Sequence, residues 1–439
     1  MRRLRLPFLV ASILLLPLAA ALAAVGETPQ GAPPANAPGG TPAAPAKGAN
    51  GAAPKDGDAA PGAKGKAKEK VKHGPGHRYG LEKAPPRAPG TLRLAAYNVM
   101  NLFDHVDDPA LSGEFDDLPM ATSDDRCRGL AAAIRALDPD VISLEEVESL
   151  QALLWFRDTY LQGMGYDFVA SEDVGYYRGV EQSVMSRYPI VAVKTWTDLD
   201  LSSTLPQRTG EGWSPAKPDQ GTKFQRSPLY VQIRTPEGWV LNLLAVHLKA
   251  GGKDFSFQRE AEALAISGVV RSILEADPDA NLAVMGDFNS TPGEKAAKVL
   301  LEPERGGLKG AYDERIIRSL PREAYLTHES GRAIDYILMS PGLAKDVVPK
   351  SFFVLGTMYP GDDYDYRKDS PPSGYASDHY PLAIDLTPKD PPAEHPSGTE
   401  IRSLGAKAPT PVPPSPKGAA PAAPAAPAAP PPAASPAAR

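Results

Sequence analysis

Several short apolar runs of this sequence end in a side chain that can bind a ligand or move a proton. Leu92-Arg-Leu-Ala-Ala-Tyr-Asn98 ends in a carboxamide, Val141-Ile-Ser-Leu-Glu-Glu146 in a carboxylate, and Val240-Leu-Asn-Leu-Leu-Ala-Val-His247 in an imidazole. Leu282-Ala-Val-Met-Gly-Asp-Phe-Asn289 carries Asp287 and Asn289 two positions apart, and Asp335 opens the run Asp335-Tyr-Ile-Leu338. Asp378 and His379 are neighbours on an expected irregular loop ahead of Tyr380-Pro-Leu-Ala-Ile-Asp-Leu386. In an extended chain residues i and i+2 share a face, so Asp287 and Asn289 point one way while Phe288 turns into the packing. The same alternation puts Glu146 on the stripe of Ile142 and Leu144 and turns Glu145 to the opposite side. A carboxylate at the edge of a buried stripe is costly unless it is paired or bound to metal, so Glu146 reads as a site residue. Taken singly, His247 could be a hydrogen-bonded structural histidine, Asp335 a turn acid and Gly286-Asp-Phe-Asn289 a plain turn. Six polar strand ends in one domain point instead to side chains that converge on a ligand.

The elements that position them alternate between strand and helix patterns from about residue 90 to 388, which predicts an α/β body with more than one sheet layer. Leu130, Ala133, Ile134 and Leu137 recur at helical spacing and stop before Asp138-Pro139, and Ala261, Leu264, Ala265 and Val269 form a second stripe. Both predict amphipathic helices packed on a sheet. No internal repeat is visible.

Outside the body the composition changes. The chain has 439 residues and 49 prolines, most of them near its two ends. Met1-Arg-Arg-Leu-Arg5, the apolar run Leu6–Leu22 and the small-residue site Ala21-Leu-Ala23 predict a signal peptide over 1–23, hence a secreted or periplasmic protein with no stable membrane insertion after cleavage. Residues 24–89 predict a disordered Ala/Pro/Gly/Lys-rich linker, 90–388 the catalytic domain, and 389–439 a disordered Pro/Ala-rich tail that could contact the cell envelope. With Cys127 alone, no intrachain disulfide can form, so stability must come from a core. Residues 1–90 hold 13 Lys/Arg against 5 Asp/Glu, and 389–439 hold 5 against 3, so within a net charge of −6 the body carries −16. An acidic body disfavours a broad phosphate-tracking groove but allows a local basic patch or a bound metal.

In this order, Tyr97-Asn98-Val99-Met100-Asn101, Leu144-Glu-Glu-Val147, His247-Leu248-Lys249, Gly286-Asp-Phe-Asn289, Ile334-Asp335-Tyr336 and Ser377-Asp378-His379 resemble the endonuclease/exonuclease/phosphatase superfamily. The resemblance covers about two-thirds of the chain. It implies a four-layer sandwich of two mixed β-sheets flanked by α-helices. It also implies that Asn98, Glu146 and Asp378 help hold Mg²⁺ or Mn²⁺, hard ions that suit oxygen donors and retained water. By the same resemblance Asp335 pairs with His379, His247 is a proton donor or phosphate ligand, Asp287 orients or deprotonates water, and Asn289 hydrogen-bonds the phosphate. Whether Asp287 or His379 is the base stays open. Arg226 resembles a phosphate-contacting arginine, and Glu181 lies near the place of an acid that orients the histidine matched by His247. Two departures stand out: Glu145 occupies a position where many relatives have Gln, and Gly356–Tyr366 is an apparent insertion. The acidic stretch Asp104–Asp125 reads as solvated surface, with Ca²⁺ as a structural ion the alternative.

The expected activity is that of a monomeric, secreted, metal-dependent phosphodiesterase acting on DNA or RNA. An inositol-phosphate phosphatase or sphingomyelinase-like phospholipid phosphodiesterase is the alternative within enzymes. A catalytically inactive surface-binding module is the alternative of another class, and the complete set of ligand and acid–base residues argues against it.

Overall fold

Alternating side chains make the strands two-faced, and the two faces go to different cores. In the structure, a computed structural model that describes residues 72–107, 120–204, 223–302, 306–311, 321–365 and 368–389, twelve strands form two six-stranded sheets. The first runs in the order Phe353–Val354 (β11), Leu382–Leu386 (β12), Leu92–Leu102 (β1), Val141–Val147 (β2), Glu181–Ser186 (β4) and Phe168–Ser171 (β3). The second runs Ile190–Lys194 (β5), Leu229–Arg234 (β6), Val240–His247 (β7), Leu282–Asp287 (β8), Asp335–Met339 (β10) and Lys309–Gly310 (β9). Both are mixed: β1 is parallel to β2 and antiparallel to β12, while β7 is parallel to β8 and β8 antiparallel to β10.

Leu94, Ala96 and Val141 of the first sheet meet Leu241, Leu243, Ala245, Ala283, Met285 and Ile337 of the second in the central core. The opposite faces bury helices. Ala95, Tyr97, Ile142 and Leu144 pack on Asp124–Leu137 (α1) and Leu150–Tyr160 (α2) through Leu130, Ile134, Leu137, Leu153 and Phe156. Leu244, Leu282, Val284 and Tyr336 pack on Ser256–Ala276 (α3) and Lys295–Leu301 (α4) through Ala261, Ile266, Val270 and Leu300. This is the four-layer sandwich, and each fully buried leucine or isoleucine in it contributes about 2 kcal/mol. The helical stripes read from the sequence are the ones buried, Leu264 only partly. α1 starts at Ser123, whose side chain caps Arg126 N, and stops at Asp138 in the left-handed region (φ 49°), ahead of Pro139.

The domain begins before residue 90, which corrects the expected linker boundary. Residues 72–89 form a strap along the β11 edge: Leu81 N donates to Val354 O (2.7 Å), Gly356 N to Leu81 O (2.8 Å), and Gly76 and Tyr359 bridge. Tyr79, Leu81 and Ala84 pack against the cores, and Arg87 pairs with buried Asp140. Composition hid this because a few apolar residues, placed where an edge strand needs covering, suffice to hold the strap. The insertion 356–366 is the strap's partner, through Tyr359 and through Asp362, which accepts from His73 N at 2.7 Å. The signal peptide, residues 24–71 of the linker, the tail from 390 on, Tyr366 and positions 108–119 of the acidic stretch lie outside the described residues. Among the described residues no helix is long and apolar enough to cross a membrane.

Candidate active site

At one end of the central core the apolar side chains give way to polar ones. On the second sheet three strands deliver them in one row, since His247 is in register with Asp287 across β7 and β8, and Asp335 with Asp287 across β8 and β10. Residues in register share a face, so the three side chains extend the stripes of Ala245, Met285 and Ile337. On the first sheet Asn98 is in register with Glu145, continuing Leu94–Ala96 and Val141–Ser143. Beyond them β1 and β2 break: Met100, Asn101 and Glu146 adopt positive φ (54°, 56° and 68°), and the register shifts.

The break corrects the simple alternation. Val147, not Glu146, takes the next place on the helix-facing stripe. The Glu146 side chain is 13% exposed, accepts from Asn101 N at 3.0 Å, and lies 3.8 Å from His247 Nε2. Glu145, expected on the side away from the Glu146 stripe, is there: fully buried between the sheets, directly behind the row on β8. Ser143 Oγ donates to one of its oxygens (2.5 Å), and a Cβ on Gly286 would meet the same oxygen at 2.6 Å. Burial, then Asp335 and Asp287, hold its carboxyl well above the usual range, so it is the neutral acid.

Asp287 is the focus. Its Oδ2 accepts from Asn98 Nδ2 and from Asn289 Nδ2, both at 3.1 Å, and faces His247 Nε2 at 3.4 Å and His379 Nε2 at 3.8 Å. Its other oxygen accepts from Asn289 N (2.7 Å), made possible by φ 47° at Asn289. Burial and the neighbouring Asp335 push its carboxyl up to about 7. His379 Nδ1 lies 3.0 Å from both oxygens of Asp335. Burial works against protonation of His379, but Asp335, Asp287 and Asp378 outweigh it and raise its pKa well above the ordinary imidazole value. His247 goes the other way: burial, then Arg226 and His379, lower it well below that value, so it is neutral.

Asp378 joins this group only through its neighbours. Ser377 Oγ donates to Asn98 O (2.7 Å), while the Asp378 carboxylate faces His328 Nε2 at 3.5 Å. Burial would raise its pKa, but the hydrogen bond from His328 and the positive His379 hold it well below the usual range. His328 accepts from Ser330 N through Nδ1 (2.9 Å), which leaves Nε2 as the donor, and its ring stands edge-on to His379 at 4.6 Å. No strand pattern marks His328 in the sequence, because it reaches the site from a loop through an isolated bridge to His379.

Residues 121–379 match the model of the Endonuclease/Exonuclease/phosphatase family. The chain belongs to this family. Its members are metal-dependent hydrolases of phosphate esters, and this chain is one of them. Similar solved structures include the catalytic domain of human Nocturnin with bound sulfate (16% identity, covering 67% of this chain and 94% of that one, TM-score 0.43). TDP2 of Caenorhabditis elegans (15%, 67% and 97%, 0.41) and an endonuclease/exonuclease/phosphatase of Bacteroides vulgatus (16%, 68% and 99%, 0.43) are others. No curated protein matches the chain.

The residues present fit the divalent metal of this family. Two acid–histidine clusters, Asp287–Asp335–His379 and His328–Asp378–His379, each bring three polar groups within 4.8 Å of one another, and with His379 protonated the carboxylates of Asp287, Asp335 and Asp378 remain as oxygen donors for a hard ion. Glu146 adds a carboxylate at the partly open mouth, in a backbone conformation that costs a non-glycine residue about 1–2 kcal/mol. Such strain persists at sites where a side chain must be aimed. Glu146 belongs to neither cluster, so among the described residues the two expected carboxylate ligands, Glu146 and Asp378, do not share one.

Two arginines brace these parts. Arg126, buried on α1, donates to Val99 O (3.0 Å), Asn101 O (2.6 Å) and Ala376 O (3.2 Å), tying the end of β1 to the loop that carries Asp378 and His379. Arg226 donates to His247 O (3.1 Å) and Leu248 O (2.8 Å), so it supports the backbone after β7, while its Nη1 is buried without a partner. Arg178 donates to Asn101 Oδ1 at 2.7 Å beside Glu146. Glu181 is buried at the start of β4 but makes no hydrogen bond to the His247 ring, whose Nδ1 has no partner among the described residues.

Proposed function

We propose that this phosphoesterase is a secreted nuclease that hydrolyses phosphodiester bonds of DNA or RNA with Mg²⁺ or Mn²⁺. The observation that carries the reading is the focus on Asp287, where one carboxylate with a pKa of about 7 is ringed by two amides and two imidazoles of opposite protonation preference. A group that titrates near the working pH is suited to taking a proton from water, so Asp287 is the base in this reading. The imidazolium of His379, backed by Asp335, offers a proton or a hydrogen bond to the charge that develops on phosphate. Neutral His247 and the Asn98 and Asn289 amides orient the reacting group. Glu146, Asn98 and Asp378 are the residues that would hold the metal, which supplies positive charge to the phosphate when bound. Arg178, Arg226 and Arg259, close to His247 or Asp287 in an otherwise acidic body, suit an anionic diester. The apolar run Leu6–Leu22 supports export, and a mature N-terminus just after Ala23 in protein recovered from outside the cytoplasm tests that part.

The deciding experiment is nicking of supercoiled plasmid by the mature protein with Mg²⁺, with EDTA, and with His379→Ala in parallel. Metal-dependent nicking that the substitution abolishes is expected. Folded protein that leaves plasmid and RNA intact but releases the headgroup from a choline phospholipid would overturn the nucleic-acid reading.

A further inference from the structure

The segment that follows His247 is fixed more firmly than a surface turn requires. Arg226 holds the carbonyls of His247 and Leu248, and Asn289 Nδ2 donates to Leu248 O as well (3.1 Å). Arg259, from α3, donates to Lys249 O (3.0 Å) and Gly252 O (2.7 Å), and Lys249 N donates to Glu262 Oε2 (2.8 Å). Gly251, at φ 109°, lets the Phe255 ring lie across the turn, where a Cβ would come within 2.3 Å of it. Lys249 Nζ rests 4.1 Å from the centre of that ring. With its backbone pinned at both ends and its ammonium seated over an aromatic ring, the side chain has less freedom to lose on binding.

Its charge is only partly compensated, by the Phe255 ring and by Glu262. Among the described residues Lys249 Nζ forms no ion pair, and the acid that acts on it, Glu262, accepts from the backbone amides of Lys249 and Gln225. Around it stand Arg226, Arg178 and Arg259, and Arg226 keeps a buried Nη1 unpartnered. Burial and these guanidinium groups bring the lysine down to about 8. Like charges held together beside the hydrolytic focus are an anion site. In the proposed reading the scissile phosphate sits with Asp287, His379 and His247, and His247 is two residues before Lys249 in the chain.

We propose that Lys249 grips a second phosphate, adjacent to the scissile one, and thereby makes the enzyme prefer substrates that carry phosphates in succession. This rests on the nucleic-acid reading of the site. A dinucleotide with one internal phosphodiester tests it against the same dinucleotide with an added terminal phosphate at its 5′ or 3′ end. For the full chain with Mg²⁺, one of the two added phosphates should raise kcat/KM by about tenfold, the scale of one charge-assisted contact. Lys249→Gln should shrink that ratio to about twofold or less, and Lys249→Arg should keep most of it. A wild-type ratio near one overturns the proposal, and so does a Lys249→Gln enzyme that loses activity on all substrates alike with the ratio unchanged. Failure to cleave any of the dinucleotides is a different result: it removes the nucleic-acid reading and this proposal with it.

Discussion

The two sheets bring their polar residues to the same place by different means. On the second sheet, β7, β8 and β10 stay in register to the last residue, and His247, Asp287 and Asp335 stand side by side as continuations of an apolar stripe. Where this half needs unusual backbone angles it uses Gly286 (φ 128°) and Asn289 (φ 47°), residue types that tolerate them. On the first sheet β1 and β2 break, and Glu146 reaches the site only because a glutamate is held at φ 68°. The half proposed to handle protons is thus regular in its backbone, whereas the half proposed to bind metal stores strain. A cation bound at Glu146 can repay such strain, and a base that must stay aligned gains from the register instead.

The largest effect should come from the regular half. Asp287→Asn keeps the shape and most of the hydrogen bonds but removes the group that titrates, and kcat should fall by about 10³-fold, roughly 4 kcal/mol. Thermal unfolding should show a modest loss, about 1 kcal/mol, because the new amide NH₂ must face a donor from which the carboxylate accepted. Steady-state hydrolysis of a simple diester at saturating Mg²⁺ measures it, and an Asp287→Asn enzyme within tenfold of the parent would remove Asp287 from the base role.

The strained half should respond in the opposite sense. At Glu146, glycine relieves the positive φ and alanine does not, so Glu146→Gly should be the more stable of the two by about 1 kcal/mol in urea unfolding. At Asp287, in regular strand, alanine should be the more stable of the same two substitutions. Both Glu146 variants should need about tenfold more Mg²⁺ for half-maximal activity. If glycine and alanine rank alike at the two positions, the contrast in strain is wrong.

The same contrast decides what was legible in the sequence. Strand period and register make Asn98, His247, Asp287 and Asp335 readable, because a polar residue that continues an apolar stripe must sit where the core ends. The six ordered motifs gave the sandwich and the family. Period alone misplaces Glu146, since nothing in a glutamate announces a left-handed backbone. His328 and Arg126 went unread because each acts across the fold, one through a loop bridge to His379 and one through carbonyls of three separate residues. The strap at 72–89 went unread because its average composition is that of a linker, while its few anchors, Tyr79, Leu81 and Arg87, each find a waiting partner.

Glu145 gives the smallest effect and the finest test of the comparison, because it lies on the broken strand yet belongs by register to the intact stripe. Its carboxyl is held well above the usual range by burial, and one oxygen accepts from Ser143. Glu145→Gln should therefore leave kcat and the Mg²⁺ requirement within about twofold of the parent, as expected for replacing a protonated acid by its amide isostere. Stability should separate the two proteins only at higher pH. The folded-state pKa of Glu145 is raised above its unfolded value of 4.5, so its contribution is fully present below that pH and is lost as pH rises toward the folded value. The parent should then weaken relative to Glu145→Gln as pH climbs from 4.5 upward, while below 4.5 the two should unfold together. Parallel urea-unfolding curves across that range decide the point: a difference that stays constant at every pH would mean that folding leaves the Glu145 pKa unshifted, and a parent that gains on Glu145→Gln as pH rises would mean that Glu145 is charged and paired in the fold.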